Sequence, residues 1–311
     1  MTAQTLHNGL WLKEEGLMPA NRTFAGVQHI LCPTDLTPKS QRTIAFAGQL
    51  ASVSGARLTT FHSMDDTWLH QSADDFAVGK RAVRQQIVDC FDTEDIEIDV
   101  IVEKGSNPPS EIIRFVRELD VDLLVMKARP GASSAFHFGS IVERVISDVR
   151  CPVLLLPSAF LEENDPKLNK LNFRQILFDY DFSQATDELF HLTNALTRNY
   201  DSDLHVLSVL EPPVVFGVDP DQLESSKSRL KNAVRERLSS VVRQESLVDV
   251  PTTVEWGSHT DKILNYARAN GTDLICTALP APSHFFEKIY RFYLGQLLTS
   301  APCPVLVKQC V

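Results

Sequence analysis

The sequence predicts an α/β protein of two tandem, doubly wound domains, each with a five-stranded parallel sheet flanked by helices. Three observations support this fold class. The 311 residues suit two domains of about 150 residues each. Short apolar runs alternate with longer segments of helical spacing, as in sheets with crossover helices. The same order of segments then recurs in the second half.

The repeat is visible as four short blocks that occur in the same order in both halves. The matched blocks are His29–Asp35 with Gln175–Asp181, Val102–Ser106 with Val254–Ser258, Val121–Met126 with Thr272–Thr277, and Cys151–Leu154 with Cys303–Leu306. Four ordered matches at a nearly constant offset do not arise from composition alone. The chain is therefore an internal duplication.

Strands are expected where aliphatic and β-branched residues run together, and helices where apolar residues recur three or four positions apart. In the first half the strands fall near 28–33, 57–63, 97–103, 122–127 and 152–156, and the helices near 38–54, 75–91, 109–118 and 139–149. Continuous apolar runs such as Leu123–Val125 and Val153–Leu156 indicate parallel strands that are covered on both faces.

The second half follows the same pattern. Its strands fall near 174–179, 203–209, 251–255, 272–277 and 303–308, and its helices near 184–199, 220–245, 259–269 and 292–300. We expect a leader at 1–26, a first domain at 27–158, a linker at 159–171 and a second domain at 172–311. The polar composition of 162–170 favours the linker. Charged residues within the leader argue against a signal peptide.

Charge and motif content exclude several classes of protein. A net charge of −10 argues against a nucleic-acid partner, since phosphate binding requires a clustered basic surface. The longest apolar runs have the length of strands, so no membrane span is predicted. The six cysteines form no CxxC pair, which fits reduced thiols in a cytoplasmic protein. No metal-ligand spacing and no catalytic motif are present, so neither a metal site nor a catalytic residue is predicted.

Ligands of doubly wound sheets bind outside the carboxyl ends of the strands. This rule selects residues at or near the ends of six predicted strands, namely Asp35, Ser63, Met126, Asp181, Val209 and the loop after Thr277. For Asp35 two interpretations are open: a hydrogen bond to a ligand ribose, or stabilisation of the start of the following helix.

Taken together, the motifs resemble the universal stress protein domain, which has the Rossmann-like, adenine nucleotide alpha hydrolase-like fold. The motifs are Ile30–Asp35, Gly105-Ser106, Asp122–Met126, Gly139-Ser140 and the closing Cys-Pro-Val-Leu. The resemblance covers nearly all of 28–157 and, less closely, 173–308. It implies a stress-response or regulatory role.

Members of this family that bind ATP carry Gly-x2-Gly-x9-Gly-Ser/Thr after the fourth strand. Glycines there let backbone amides approach the phosphates. In the first half only Gly139-Ser140 survives, and either Met126 with Arg129 or Lys127 with Pro130 replaces the earlier glycines. The loop is therefore degraded, although Lys127 and Arg129 could meet an anion through their charge. The resemblance leaves ATP or another adenine nucleotide open as a cofactor of the first domain.

The second half departs further from that pattern. Ala278–Pro282 replaces the early glycines, and the aromatic stretch 285–293 precedes Gly295-Gln296. Asp181 and Val209 remain, so the resemblance leaves a partial base-binding pocket there. For the aromatic stretch we expect a helix that packs against the other half or another subunit.

Our leading hypothesis is a non-catalytic, cytoplasmic regulatory protein with a degraded nucleotide site. Its alternatives are a nucleotide-binding switch or weak ATPase in the first domain, and a small-molecule carrier. The resemblance implies an intramolecular pair about a pseudo-twofold axis through Pro152–Leu156 and Pro304–Val307, since these apolar edge strands are otherwise exposed. A homodimer and an unidentified protein partner remain open.

Overall fold

A computed structural model of the protein describes residues 26–64, 73–90, 96–105, 107–128, 140–163, 172–211, 220–244, 250–279 and 287–309. The first half consists of β1 (His29–Pro33), α1 (Pro38–Ser54), β2 (Arg57–Met64), α2 (Ala73–Val88), β3 (Ile98–Lys104), α3 (Pro108–Glu118), β4 (Leu123–Ala128), α4 (Ser140–Asp148), β5 (Val153–Pro157) and α5 (Ser158–Glu163). The second half consists of β6 (Gln175–Asp179), α6 (Gln184–Tyr200), β7 (Asp203–Leu210), α7 (Pro220–Gln244), β8 (Thr252–Trp256), α8 (His259–Ala269), β9 (Leu274–Leu279), α9 (Glu287–Ser300) and β10 (Val305–Gln309).

The ten strands of the described residues form one sheet in the order β3-β2-β1-β4-β5-β10-β9-β6-β7-β8. Within each half all strand pairs are parallel, and the order in the second half repeats that of the first. The α/β fold with a five-stranded parallel sheet in each half is thus confirmed. Parallel order requires helical crossovers, which explains the alternation seen in the sequence.

The two halves meet through β5 and β10, which pair antiparallel. Leu154 lies opposite Leu306, with Val153 opposite Val307 and Leu155 opposite Val305. Because Leu154 and Leu306 are also equivalent positions of the repeat, a pseudo-twofold axis passes through this pair. The expected intramolecular pair is present, and it converts two edge strands into the centre of a continuous sheet.

Helices cover both faces of the sheet. The core beneath α1, α2, α5, α6 and α7 contains buried residues from both halves, as does the core beneath α3, α4, α8 and α9. At the junction, Leu50 of α1 and Leu192 and Leu196 of α6 line one small apolar space with Leu154 and Leu306. Among the described helices, none has the length and apolar character needed to cross a membrane.

Two helices differ from the sequence expectation. The short helix α5 occupies the first part of the predicted linker, where Leu161 is buried and Lys39 of α1 pairs with Glu162 at 2.6 Å. Helix α9 begins at Glu287 instead of near 292, since no glycine or proline interrupts the aromatic segment before Gly295.

Gly295 therefore lies inside α9 and does not open a helix as Gly139-Ser140 was expected to do. The helix lies over β5 of the first half, in line with the expected packing against that half. The rest of the predicted linker and nearly all of the leader fall outside the described residues, and the domain boundaries stay predictions.

Candidate functional site

The turn after the first strand has the same construction in both halves. Asp35 accepts hydrogen bonds from the backbone and hydroxyl of Thr37 and from the hydroxyl of Ser40 at the start of α1. Asp181 likewise accepts from the Ser183 amide at 2.9 Å and the Thr186 hydroxyl at 2.8 Å at the start of α6. Both aspartates thus stabilise helix starts, which supports the structural interpretation of Asp35.

The residue between each aspartate and the helix takes a left-handed conformation. Leu36 has φ of 61° and Phe182 has φ of 64°. Side chains with a Cβ rarely adopt this region, and holding them there costs about 1 kcal/mol or more. The same costly turn in both halves shows that the local backbone at this edge has been retained through the duplication.

In the first half a lysine occupies the carboxyl edge of the sheet, next to Asp35. Lys127, near the end of β4, forms an ion pair with Asp35 and donates to the Thr37 hydroxyl at 2.9 Å. Its side chain is only 14% exposed. We call the group Asp35, Thr37, Ser40 and Lys127 the first-half site. Its ammonium lies at the carboxyl ends of adjacent strands β1 and β4, where the sheet rule places a ligand.

The electrostatics of the first-half site hold Asp35 ionised. Partial burial opposes ionisation, but the Lys127 ammonium and the hydroxyls of Ser40 and Thr37 outweigh it, and the pKa of Asp35 falls far below its usual value. A carboxylate with so low a pKa is a weak base, so Asp35 is poorly suited to accept a proton at neutral pH.

The other predicted site residues are more dispersed. Met126 is buried in β4, and the Ser63 hydroxyl donates to the Gly105 carbonyl at 3.2 Å. Val209 packs against the core beneath α8 and α9. Ser140 begins α4, whereas Arg129 and Gly139 lie outside the described residues. The structure thus brings Asp35 and Lys127 into contact.

The second half carries a buried hydrogen-bond network that the sequence analysis did not assign. Asp179 at the end of β6 is 1% exposed, and it accepts hydrogen bonds from Thr277 of β9 at 2.7 Å and from His259 Nε2 at 3.1 Å. Tyr293 of α9 lies 3.0 Å from the Thr277 hydroxyl. A carboxylate only accepts, so Thr277 donates to Asp179 and Tyr293 donates to Thr277. We call these four residues the second-half network.

His259 is the basic group of this network. Burial lowers its pKa, but the Asp179 carboxylate outweighs burial, with smaller contributions from Glu211 and Asp181, so the net pKa is raised. The imidazole also stacks on the Tyr293 ring at a centroid distance of 5.0 Å, and its backbone amide donates to Glu211 at 3.3 Å. Within the described part of the chain, no cluster of His, Cys, Asp and Glu is arranged to hold a metal ion.

Comparison of the halves shows what signal could have revealed this network. Strand register and helix starts place Pro33, Met126 and Pro108 at the positions of Asp179, Thr277 and His259. The available signal was Asp179, a carboxylate at the end of an otherwise apolar strand, where the matched block of the first half has Pro33. This signal requires position-by-position comparison of the halves, since each block alone looks like an ordinary strand.

The repeated fold and these edge sites can be compared with known proteins. The sequence model of the universal stress protein family matches residues 26–157 and 172–308, most of the chain in two copies. The chain belongs to the universal stress protein family. Among curated proteins, no sequence matches it significantly.

Solved structures show the same tandem architecture. A universal stress protein from Archaeoglobus fulgidus DSM 4304 is 20% identical, with a TM-score of 0.66 over 92% of this chain and 97% of that chain. A functionally unknown protein from Pseudomonas aeruginosa PAO1 is 14% identical, with a TM-score of 0.65 over 92% and 94% of the two chains. At these identities the similarity establishes the fold of this universal stress protein. Any statement about its ligands has to rest on the residues of this chain.

Proposed function

We propose that this universal stress protein is a non-catalytic, cytoplasmic stress-response or regulatory module whose first domain has lost its nucleotide site. The observation that carries the proposal is Lys127. It stands at or beside the first glycine position of the phosphate-binding loop, and its ammonium is bound to Asp35 and Thr37. A nucleotide that approached Asp35 would have to break this ion pair.

The two carboxylates, Asp35 and Asp179, also support a non-catalytic role. Asp35 is held as a weak base by its pKa, and Asp179 is enclosed by Thr277 and His259. Efficient general acid–base catalysis needs a group whose pKa lies near the working pH and that reaches the substrate. Signalling would then pass through contacts with a protein partner, for which the two domains joined in one sheet provide the surface.

Isothermal titration of ATP into the purified protein tests the proposal. We expect no saturable heat at millimolar ATP. The variant Lys127→Gly, which restores glycine and frees Asp35, is expected to gain measurable binding, whereas Lys127→Met, which keeps the bulk without the charge, tests whether charge alone closes the site.

The same titration distinguishes the proposed loss of the nucleotide site from the alternative, a nucleotide-binding switch. In that alternative Lys127 turns from Asp35 to a phosphate, since an ammonium forms strong charge-assisted hydrogen bonds with anions. Micromolar binding by the unmodified protein that is lost in Asp35→Ala and Ser140→Ala would overturn the proposal and establish the switch.

A further inference from the structure

A cavity of about 590 Å³ lies at the opposite edge of the second half, where β6 and β7 begin and where α6 and α8 end. Its volume is in the range of small-molecule sites. The residues that carry the argument are Gln175, Ser202, Asp203, His205, Tyr266 and Asn270, all of which line it. We call it the amino-edge cavity. It is separate from the carboxyl edge at which the sheet rule places ligands.

The charge of the amino-edge cavity favours a cation. Asp203 contributes a carboxylate, and the lining contains neither lysine nor arginine. Within the described residues, Asp203 accepts a hydrogen bond from the Gln175 amide at 2.7 Å and forms no ion pair. Helices α6 and α8 both end at this edge, and the arginines of their last turns, Arg198 and Arg268, lie outside the lining. The lining itself therefore carries one carboxylate and no cationic side chain.

Its aromatic wall adds a preference for a flat group. The rings of His205 and Tyr266 pack with centroids 4.5 Å apart and planes tilted by 40°. Burial lowers the pKa of His205, so the imidazole stays neutral at pH 7 and does not repel a cation. Its Nε2 is fixed by the Thr253 hydroxyl at 2.9 Å. Aromatic faces bind planar cations through the ring quadrupole.

The first half shows which group this edge accommodates. Strand register places His29 and Arg57 at the positions of Gln175 and Asp203. The Arg57 guanidinium lies 3.1 Å from the His29 imidazole, which is buried against the Leu119 carbonyl. The first half thus supplies its own guanidinium at this edge, whereas the second half has a carboxylate beside an open cavity.

We propose that the amino-edge cavity binds a small molecule that carries a planar cation of the guanidinium type. Asp203 accepts the N–H groups of the cation, and His205 and Tyr266 hold its flat face. The Ser202 hydroxyl is buried without a hydrogen-bond partner in the described residues, so it offers the ligand a further polar contact. The proposal is independent of the proposed function, since it concerns the other edge of the sheet.

Two matched probes test the chemistry. Agmatine carries a guanidinium, and N-carbamoylputrescine replaces that group by a neutral urea of the same shape and keeps the amine. In titrations of the full-length protein at low salt, we expect saturable agmatine binding at least tenfold tighter than that of N-carbamoylputrescine. Absence of saturable agmatine binding, or equal affinity for both probes, would overturn the proposal.

Three variants locate the site. Asp203→Asn should weaken agmatine binding at least tenfold, and Tyr266→Leu should weaken it by removing the aromatic face. The control Asp201→Asn makes the same charge change at the exposed end of α6, outside the cavity lining, and should leave binding unchanged. Equal losses in Asp203→Asn and Asp201→Asn would show non-specific attraction and contradict the proposal. Thermal melts of each variant confirm that the protein remains folded.

Discussion

The carboxyl edges of the two halves have the same backbone conformation and differ in the environment of a carboxylate. In the first half, the side chain of Asp35 is 42% exposed and pairs with the ammonium of Lys127. In the second half, the side chain of Asp179 is 2% exposed and pairs with an imidazole beneath the edge. Both edges keep the left-handed turn and the hydroxyl-bonded aspartate that precede a helix. Duplication therefore preserved the scaffold at this edge while the residues around it changed their chemistry.

This difference in burial has energetic consequences. A partly exposed ion pair contributes less, because water still reaches the Asp35 carboxylate when the charges separate. A buried pair depends on its partner, because an uncompensated charge in the interior costs several kcal/mol. The second-half network should thus be more sensitive to substitution than the first-half site, although the first-half site contains the Lys127–Asp35 ion pair.

The largest effect is expected from a substitution that disrupts the pairing of β5 with β10, which joins the two halves. Val153→Lys places an unpaired ammonium between β5 and β10, where Val153 is 1% exposed. We expect a loss of stability on the order of 5 kcal/mol, because a buried charge without a partner is among the most costly changes. Urea unfolding followed by circular dichroism should show either separate transitions for the halves or a strongly lowered midpoint.

Val53→Lys provides the matched control, because the same change occurs at a valine that is 36% exposed on α1. It should alter stability by no more than about 0.5 kcal/mol. A fully cooperative and unshifted transition in Val153→Lys would show that strand pairing does not hold the halves together.

A second experiment compares the two carboxylates directly. Asp179→Ala removes the acceptor of both Thr277 and His259, and it should cost about 3–5 kcal/mol because it leaves two buried hydrogen-bond donors without an acceptor. Asp35→Ala removes a partly exposed carboxylate that stabilises a helix start, and it should cost about 1 kcal/mol. Chemical denaturation of both variants gives the two values. Equal losses would mean that burial does not distinguish the sites.

The sequence predicted the scaffold well and the second half's chemistry poorly, for physical reasons. Apolar periodicity is a local pattern, so the strands were predictable, and the resemblance to the family implied the pairing of β5 with β10. The contact between Lys127 and Asp35 joins two strand ends that the sheet rule brings together. Asp179, His259 and Tyr293 lie 114 residues apart at their extremes, and only the packing of α8 and α9 on the sheet assembles them.

The third prediction is the smallest and concerns pH. The pKa of folded His259 is raised above its unfolded value of about 6.5. Its stabilising charge is therefore fully present below about pH 6.5 and is lost as the pH rises through the raised value. The effect should be smaller than that of Asp179→Ala, because deprotonation removes a charge and leaves the side chain in place. Unfolding free energies measured between pH 6 and 9 test this sign.

His205 gives a control of opposite sign within the same half. Burial lowers its pKa, so its contribution is present above about pH 6.5 and is lost as the pH falls through the lowered value. His259→Gln should flatten the alkaline part of the stability profile and leave the acidic part unchanged, whereas His205→Gln should do the reverse. If His259→Gln left the alkaline slope intact, His259 could not be the group that titrates, and a neutral imidazole would donate to the Asp179 carboxylate in place of an ion pair.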